Sequence, residues 1–449
     1  MALNTQSINA TTEIAATWRL GILRALAISL GIWVAWFATH IPWSGVAEPV
    51  ALGIIGAAWI LAGLVSTRLA PSRSWTVAAI AGVGAGAIGL LAVGSKLTGS
   101  PTTTGEAGAT RPDAALIVLG FLATSLVISL LTHAIARSSR TITSVQANAR
   151  IAGVMALAMV PLIAIGGLVT STNSGMAVPD WPGTFGSMMF LYPIGPRSEP
   201  GVFLEHSHRL FGTLAGMAVI AATVSVLASK PRRFVMIWTV GILALVVAQG
   251  ILGGYRVRFG NADPEADQRW LAVLHGVLGQ LVFAGGCALA AYLSPAYTAP
   301  LTLEVTKTRA IKGLATGAFH AAILQLVFGA MYRHLRSGHA LMSHIGMSIV
   351  VLALALVAVA FALRPDKEAG PLARVTRTWG VTMGSLVSLQ FALGWVAFLL
   401  GGKTLTPENA IQAVVRTAHQ ANGALLFGSM AILAVYARQL HRRATAVSA

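Results

Sequence analysis

Twelve apolar runs, each long enough to cross a lipid bilayer as a helix, recur from one end of the chain to the other. A bilayer core about 30 Å thick needs roughly 20 helical residues. Only 10% of the 449 residues are charged and 55% are hydrophobic. The sequence therefore predicts an all-α polytopic membrane protein, with spans near residues 20–40, 47–67, 76–95, 113–134, 150–171, 206–229, 234–254, 270–293, 311–332, 341–363, 378–400 and 412–437.

The net charge of +17 is unevenly distributed between the two sides of the predicted membrane protein. If the N-terminus is cytoplasmic, 20 of the 31 Lys and Arg lie on the cytoplasmic side, whereas 10 of the 14 acidic residues lie on the other. This is the positive-inside pattern of a multi-pass protein and not a nucleic-acid-binding surface. We therefore predict an inner (plasma) membrane protein with both termini cytoplasmic, and with its longest loops, 172–205 and 255–269, outside.

A basic, Ser- and Thr-rich stretch at 136–150 divides the chain. Residues 1–145 hold four helices without recognisable chemistry, and the eight helices that follow contain a weak internal repeat. In this repeat a Gly-rich segment precedes a helix that carries a histidine. Two four-helix halves in the same orientation explain the pattern. The predicted domains are residues 1–145, 146–298 and 299–449.

Four of the eleven histidines recur near the start of every second helix of this eight-helix unit: His208, His275, His344 and His419. Ionisable side chains at that depth are costly without a partner. An interhelical hydrogen bond would explain any one of them, and proton relay is an alternative for the set. Their recurrence in both halves favours pairs of axial ligands to haem iron. Zinc is disfavoured, since the chain has a single cysteine, Cys287.

The segment EHSHR, residues 205–209, opens the sixth apolar run. Glu205 and His208 share a helix face, whereas His206 points the other way and is predicted to lie at the membrane interface. His208 is therefore the predicted ligand. Glu205 is either a solvated residue favoured by the helix dipole or a group that handles protons or orients substrate. Arg209 and Arg416 are each predicted to bind a propionate or to extend toward water.

These segments resemble the heme A synthase family over about residues 147–440. The resemblance rests on GGLVTSTNSGMAVPDWP, on EHSHR with its Glu-x-x-His-Arg spacing, on LHGVLGQ, on LQLVFGAMYRH with SGHALMSH, and on RTAHQANGALL. Members of the family convert heme O to heme A for cytochrome oxidase by oxidising a ring methyl group to a formyl group. The resemblance therefore implies a haem-modifying membrane oxidoreductase.

The resemblance also implies a role for each candidate residue. His208 and His275 form the pair at which heme O reacts, His344 and His419 ligate a heme B cofactor, and Glu205 acts with His208 in catalysis. The implied reaction runs through successive hydroxylations, with electrons from an external donor. Heme O synthase and cytochrome oxidase assembly factors are candidate partners within the lipid bilayer.

The chain departs from the family pattern in three places. Ser171, Thr172 and Asn173 occupy the region near SG where many members carry Arg, the outer-loop cysteine pair is absent, and four helices are added at the N-terminus. These helices are predicted to be a partner surface or a fused accessory module. Two other functions stay open: a non-catalytic b-type cytochrome or haem-handling assembly protein, and a proton-coupled transporter.

Overall fold

The computed structural model describes residues 13–99, 108–262, 268–400 and 409–447. In these ranges the chain forms twelve helices that are long and apolar enough to span a membrane, and no strand. Helices suit lipid because each backbone N–H and C=O is satisfied within its own segment. The prediction of an all-α polytopic membrane protein is confirmed.

The helices follow the predicted spans in order. We number them α1 (Thr17–His40), α2 (Glu48–Leu69), α3 (Trp75–Val93), α4 (Ala114–Ala136), α5 (Ser144–Ser171), α6 (Pro200–Leu227), α7 (Arg233–Ala262), α8 (Arg269–Leu293), α9 (Thr308–Leu335), α10 (Gly338–Ala362), α11 (Pro371–Leu400) and α12 (Ala410–Val447).

Two helix ends lie well beyond their predicted positions. Helix α7 continues to Ala262, so the loop predicted at 255–269 begins later, and residues 263–267 lie outside the described ranges. Helix α12 continues to Val447 and includes His441, which the sequence places in a basic tail. Both extensions are polar, and a hydropathy pattern detects only the part of a helix that is apolar enough for lipid.

Contacts divide the chain into two compact units. The first comprises Met1–Val169, Ser174–Leu243 and Val257–Pro264, and the second comprises Thr170–Asn173, Ala244–Arg256 and Glu265–Ala449. The first unit therefore contains helices α1–α4 together with α6 and most of α5. The three predicted domains, with boundaries near 145 and 298, stay a prediction.

In the first unit, helices α1–α4 pack around a small apolar core formed by Ile28, Ile32, Trp59, Ala81 and Ala85. Small residues bring α3 and α4 close together, since the Ser125 and Ser129 hydroxyls donate to backbone carbonyls of α3 at 2.6 and 2.8 Å. Such close approach is a usual basis of helix association in lipid. Helices α1 and α3 also contact α6, which carries the EHSHR segment.

In the second unit, α12 lies at the centre and contacts α8, α9 and α11. Phe319 of α9 and Phe427 of α12 stack with their ring centroids 4.9 Å apart. Helix α10 starts at an N-cap, Ser337, whose hydroxyl accepts a hydrogen bond from the Ala340 N–H. This cap places His344 in the second turn of α10, as the sequence predicts.

Candidate functional site

Each of the four repeated histidines lies against a glycine of the preceding helix. A methyl group built on the glycine would come within 2.8–3.3 Å of Cε1 of the imidazole, which is closer than normal packing allows. The glycines therefore leave room for the rings. The four pairs are Gly166 with His208, Gly253 with His275, Gly329 with His344, and Gly394 with His419.

A glutamine precedes three of these four glycines by one helical turn: Gln249, Gln325 and Gln390. The corresponding residue in the first pair is Leu162. The first pair is also the one whose histidine follows Glu205 on the same helix. The four positions thus share a glycine whose missing side chain leaves room for the imidazole, which we call the glycine notch. They differ in the polar residues near it.

His344 of α10 shows how a glycine notch orients an imidazole. Its Nδ1 lies 3.0 Å from the backbone carbonyl oxygen of Gln325 on α9. Because a carbonyl can only accept, Nδ1 carries the proton and Nε2 keeps its lone pair. This arrangement is the usual one for a metal-ligating histidine, whose second nitrogen is fixed by a hydrogen bond.

His419 of α12 is held by a side chain rather than a carbonyl. The Gln390 amide nitrogen lies 3.2 Å from Nδ1 and 3.3 Å from Nε2 of His419. Asn422, which is 6% exposed, donates to the Gln390 side-chain oxygen at 2.8 Å and to the Leu386 carbonyl at 3.0 Å. The asparagine therefore fixes the glutamine, and the glutamine borders the imidazole.

The His344 and His419 rings face each other with centroids 6.2 Å apart and planes inclined by 77°. Two imidazoles that share one metal ion, with metal–nitrogen bonds of about 2 Å, have ring centroids on the order of 6 Å apart. Nearby, the Gln325 side-chain oxygen is buried without a hydrogen-bond partner among the described residues. The pair therefore fits two axial ligands of one haem iron.

His208 lies in the first unit and His275 in the second. Within its unit each is partly buried against its glycine. A methyl group built on Gly166 would lie 2.9 Å from Cε1 of His208, and one built on Gly253 would lie 3.2 Å from Cε1 of His275. Their pairing around a substrate haem stays a prediction. The described residues contain no group of three or more His, Cys, Asp or Glu side chains arranged for a metal ion.

Glu205 is buried, at 4% exposure, and both of its carboxylate oxygens are engaged. The Arg209 guanidinium donates to Oε1 at 2.7 Å, and the Val178 N–H donates to Oε2 at 2.8 Å. Among the residues that the structure describes, Glu205 is the only buried acidic side chain. The alternative of a solvated Glu205 at the helix end therefore does not hold, and the N-cap of α6 is the exposed Glu199.

Arg209 joins Glu205 to the loop that connects α5 and α6. Besides its ion pair, the guanidinium donates to the backbone carbonyls of Val178, Asp180 and Gly183 at 3.2, 2.8 and 2.9 Å. With these bonds the guanidinium points toward the loop and not toward water, and its donors are already used by protein oxygens rather than left for a propionate. The arginine closes the 172–199 loop, which lies between α5 and α6, over the carboxylate.

His206 lies beneath the same loop, and its predicted position at the membrane interface stays a prediction. The residue is 1% exposed, its Nδ1 is 3.2 Å from the Thr184 hydroxyl, and its ring centroid is 5.6 Å from that of Tyr192. Burial raises the pKa of the Tyr192 phenol, aided by the charge of Asp180. The hydroxyl therefore stays protonated near neutral pH, and the loop has an uncharged lining at this point.

Arg416 belongs to a cluster of basic residues in the second unit. Arg333 is within electrostatic range of Arg416 and Arg336, and His334 is within range of Arg333 and Arg256. Such a concentration of positive charge suits the carboxylates of haem propionates.

Sequence reasoning missed the residues that hold the site: Val178, Thr184, Gln325, Gln390 and Asn422. A signal for the glutamines was present, because the segments QGILG, QLVFG and QFALG repeat a Gln four residues before the critical glycine. No comparable signal marks the loop residues, whose contacts are made through backbone atoms or at long sequence separation.

Fold and site together define a polytopic membrane protein in which four histidines lie against glycines of the preceding helices, one of them three residues after a buried carboxylate. Residues 149–348 match the sequence model of the COX15-CtaA family, described as a cytochrome oxidase assembly protein. This match confirms, over that segment, the similarity to the heme A synthase family that the sequence motifs indicate. The matched segment includes Glu205, His208, His275 and His344 and ends before His419.

Similar proteins come from several bacteria. A heme A synthase of Parvibaculum lavamentivorans is 28% identical over 215 residues, or 41% of this chain and 59% of that protein. A heme A synthase of Beijerinckia indica is 27% identical over 272 residues, or 54% of this chain and 70% of that protein. A heme A synthase of an Exiguobacterium species is 30% identical over 113 residues, or 25% and 36%. The chain thus spans less than two thirds of the first of these relatives.

Proposed function

We propose that the protein is a membrane oxidoreductase that oxidises a ring methyl group of heme O to a formyl group. The observation that carries the proposal is the fourfold glycine–histidine arrangement, in which, among the described residues, only one histidine is accompanied by a buried carboxylate, Glu205. Similarity to the heme A synthase family supports the same reaction. Two similar haem sites, one with and one without an acid–base group, suit one substrate and one cofactor.

His344 and His419 would hold a heme B cofactor, and His208 and His275 would hold heme O. Bound between two imidazoles, a haem supplies one-electron transfer. The His344 ring is positioned by the Gln325 carbonyl and the His419 ring borders Gln390, so this pair is fixed by its surroundings. A rigid pair of axial ligands suits a permanently bound cofactor.

The conversion would proceed as two hydroxylations, each of which would insert one oxygen atom of O2 and reduce the other to water with two electrons from an external donor and two protons; loss of water from the resulting dihydroxymethyl group would give the formyl group. Glu205 would relay protons for these steps. A proton on the carboxylate would remove the negative charge that faces Arg209, and would weaken both the ion pair and the hydrogen bond from Val178. Proton uptake at Glu205 is thereby coupled to the loop that Arg209 holds. A single buried carboxylate with two fixed bonds is well oriented for this role.

Arg416 and its basic neighbours would bind haem propionates in the second unit. Arg209 is the weaker candidate for a propionate, since its guanidinium already has one carboxylate and three carbonyl partners. The proposal also includes an external electron donor, and delivery of heme O by heme O synthase or by oxidase assembly factors. The protein would work in the plasma membrane with both termini in the cytoplasm.

The test compares the porphyrins bound to Glu205→Gln with those bound to the parent protein. Glutamine preserves the shape of the side chain but removes the charge and the proton-accepting oxygen. We expect the parent to yield heme A and heme B, and Glu205→Gln to retain heme B while its heme A falls at least about a hundredfold, the usual size of an acid–base contribution. Glu199→Gln is the matched control, because Glu199 lies on the same helix but is exposed.

Extraction of the haems and identification by mass decides the outcome. Full heme A production by Glu205→Gln would show that the carboxylate has only a structural role. A parent protein that carries two chemically identical haems would instead favour a b-type cytochrome or haem-handling protein, and a protein without haem would favour a transporter.

A further inference from the structure

The four N-terminal helices have no part in the proposed chemistry, yet they share a compact unit with Glu205 and Arg209. Two sets of contacts connect them to the site. One set joins the end of α3 to the 172–199 loop, and the other joins α1 to α6.

The end of α3 contacts the backbone of the loop. A short 3-10 turn, Gly94–Leu97, follows α3, and a methyl group on Gly94 would overlap the carbonyl oxygen of Phe190. Close by, the Thr98 hydroxyl donates to the Leu191 carbonyl at 2.8 Å. Because both contacts are to backbone oxygens, they depend on where the loop lies and hardly on which side chains it carries.

From this point the loop continues directly over the site. Tyr192, next to Leu191, contacts the rings of both Phe185 and His206, with centroids 5.4 and 5.6 Å away. The segment before it is bound by Arg209, and its Val178 N–H donates to Glu205. The loop is therefore held at one end by the N-terminal helices and at the other by the Glu205–Arg209 pair.

Helix α1 holds α6 itself from the other side. Trp33 packs edge-on against Phe211 at 5.6 Å, and Phe37 stacks on Phe203 at 5.6 Å. At the far end of the same two helices, the buried Arg19 donates to the Ser225 carbonyl and the Ser229 hydroxyl. Helix α6 is thus fixed along most of its length, with Glu205 between the two phenylalanines in sequence.

We propose that helices α1–α4 are a positioning module that keeps the 172–199 loop closed over the Glu205–Arg209 pair, with Gly94 and Thr98 as its positioning residues. The effect on heme A production rests on the proposed function, whereas the closure of the loop does not. The module acts through the loop and through α6.

Gly94→Ala is the most selective test, because the added methyl group would overlap the backbone carbonyl of Phe190 and must displace the loop. Gly120→Ala is the matched control, since Gly120 lies in the same module with open space around its Cα. Closure is read from a cysteine at Val178, a residue that is 0% exposed, in a Cys287→Ala background. The probe is a polar maleimide applied to the purified protein in detergent.

We expect Val178→Cys to react at least about tenfold faster when Gly94→Ala is added and to stay protected with Gly120→Ala. Thr98→Val should act in the same direction, and Thr98→Ser, which keeps the donor, should restore protection. Without the reporter cysteine, Gly94→Ala should retain heme B and lower the ratio of heme A to heme O.

The proposal is overturned if folded Gly94→Ala protects Val178→Cys as fully as the parent does, or if Gly120→Ala opens the loop equally. Should Gly94→Ala fail to fold, the comparison of Thr98→Val with Thr98→Ser decides. Equal labelling of Val178→Cys in these two variants would also overturn the proposal. Because maleimide labelling needs no haem, a parent that makes no heme A would contradict the proposed function and leave the closure of the loop to be judged by labelling alone.

Discussion

Single glycines decide whether the imidazoles of this protein can reach their positions. At Gly329 the missing side chain lets His344 approach α9 closely enough for Nδ1 to donate to the Gln325 carbonyl. The proton on Nδ1 leaves Nε2 for iron, so a backbone feature of one helix sets the chemistry of a side chain on the next.

Gly329→Ala should therefore act like loss of the ligand itself. The new methyl group would lie 2.8 Å from His344 Cε1, and relief of this overlap would move the ring and cost about 1–3 kcal/mol. We expect the reduced-minus-oxidised absorbance of the low-spin haem to fall to the level of His344→Ala. Gly317→Ala, on the same helix with open space around it, should keep the full signal. A normal spectrum for Gly329→Ala would show that the notch is not needed for ligation.

At the scale of elements, α6 has two different faces. Glu205 and Arg209 engage the loop, whereas Phe203 and Phe211 pack against α1. Sequence places Glu205, His206 and His208 on one helix correctly, but it assigns the His206 face to the membrane interface. The 172–199 loop covers that face, and its contact with His206 through Thr184 spans 22 residues of sequence.

Phe211→Ala should destabilise the first unit, because Phe211 is 0% exposed and contacts two aromatic rings of α1. Removal of a buried phenylalanine costs about 3–5 kcal/mol in well-packed cores. The midpoint of thermal unfolding in detergent should fall by several degrees, as tryptophan fluorescence would report. Phe234→Ala, at a position that is 51% exposed on the lipid-accessible surface, should leave the midpoint nearly unchanged. Equal shifts for the two variants would argue against tight packing between α1 and α6.

At the scale of the whole molecule, charge and hydropathy act together. Twelve apolar helices make the chain a multi-pass membrane protein, and the excess of Lys and Arg on alternate connections predicts which side each connection faces. The 172–199 loop, with Asp180 at its centre, is predicted to be outside. Asp180 organises this loop by accepting from the Phe185 and Gly186 N–H groups at 2.7 and 2.9 Å.

Both termini should therefore be inaccessible to an impermeant reagent applied from outside. We expect a cysteine at exposed Met188, in a Cys287→Ala background, to be labelled in intact cells, and one at exposed Arg442 to be labelled only after the membrane is opened. Asp263, on the same predicted outer side, lies outside the described residues. Labelling of the Arg442→Cys variant from outside would reverse the orientation and place the histidine sites at the cytoplasmic ends of their helices.

The sequence by itself determined the helices, their order, the resemblance to a family and the positions of the histidines, because each of these is a local property. A run of apolar residues must be helical in lipid, and a histidine near a helix end needs a partner wherever that helix packs. Position in the sequence also brought out Glu205, three residues before His208 on a shared face. The repeat of Gly-rich segments indicated close helix approach, although not which ring would occupy each notch.

Only the tertiary structure decided what surrounds these residues. That Arg209 binds three loop carbonyls, that Asn422 fixes Gln390, and that Gly94 supports Phe190 are facts of chain segments far apart in sequence. Backbone atoms make many of these contacts. Because nearly every residue carries the same backbone groups, no pattern of residue types predicts such contacts. The role of the first four helices was unreadable for the same physical reason: their lipid-compatible composition is common to all membrane helices, and only their contacts with the loop and α6 distinguish them.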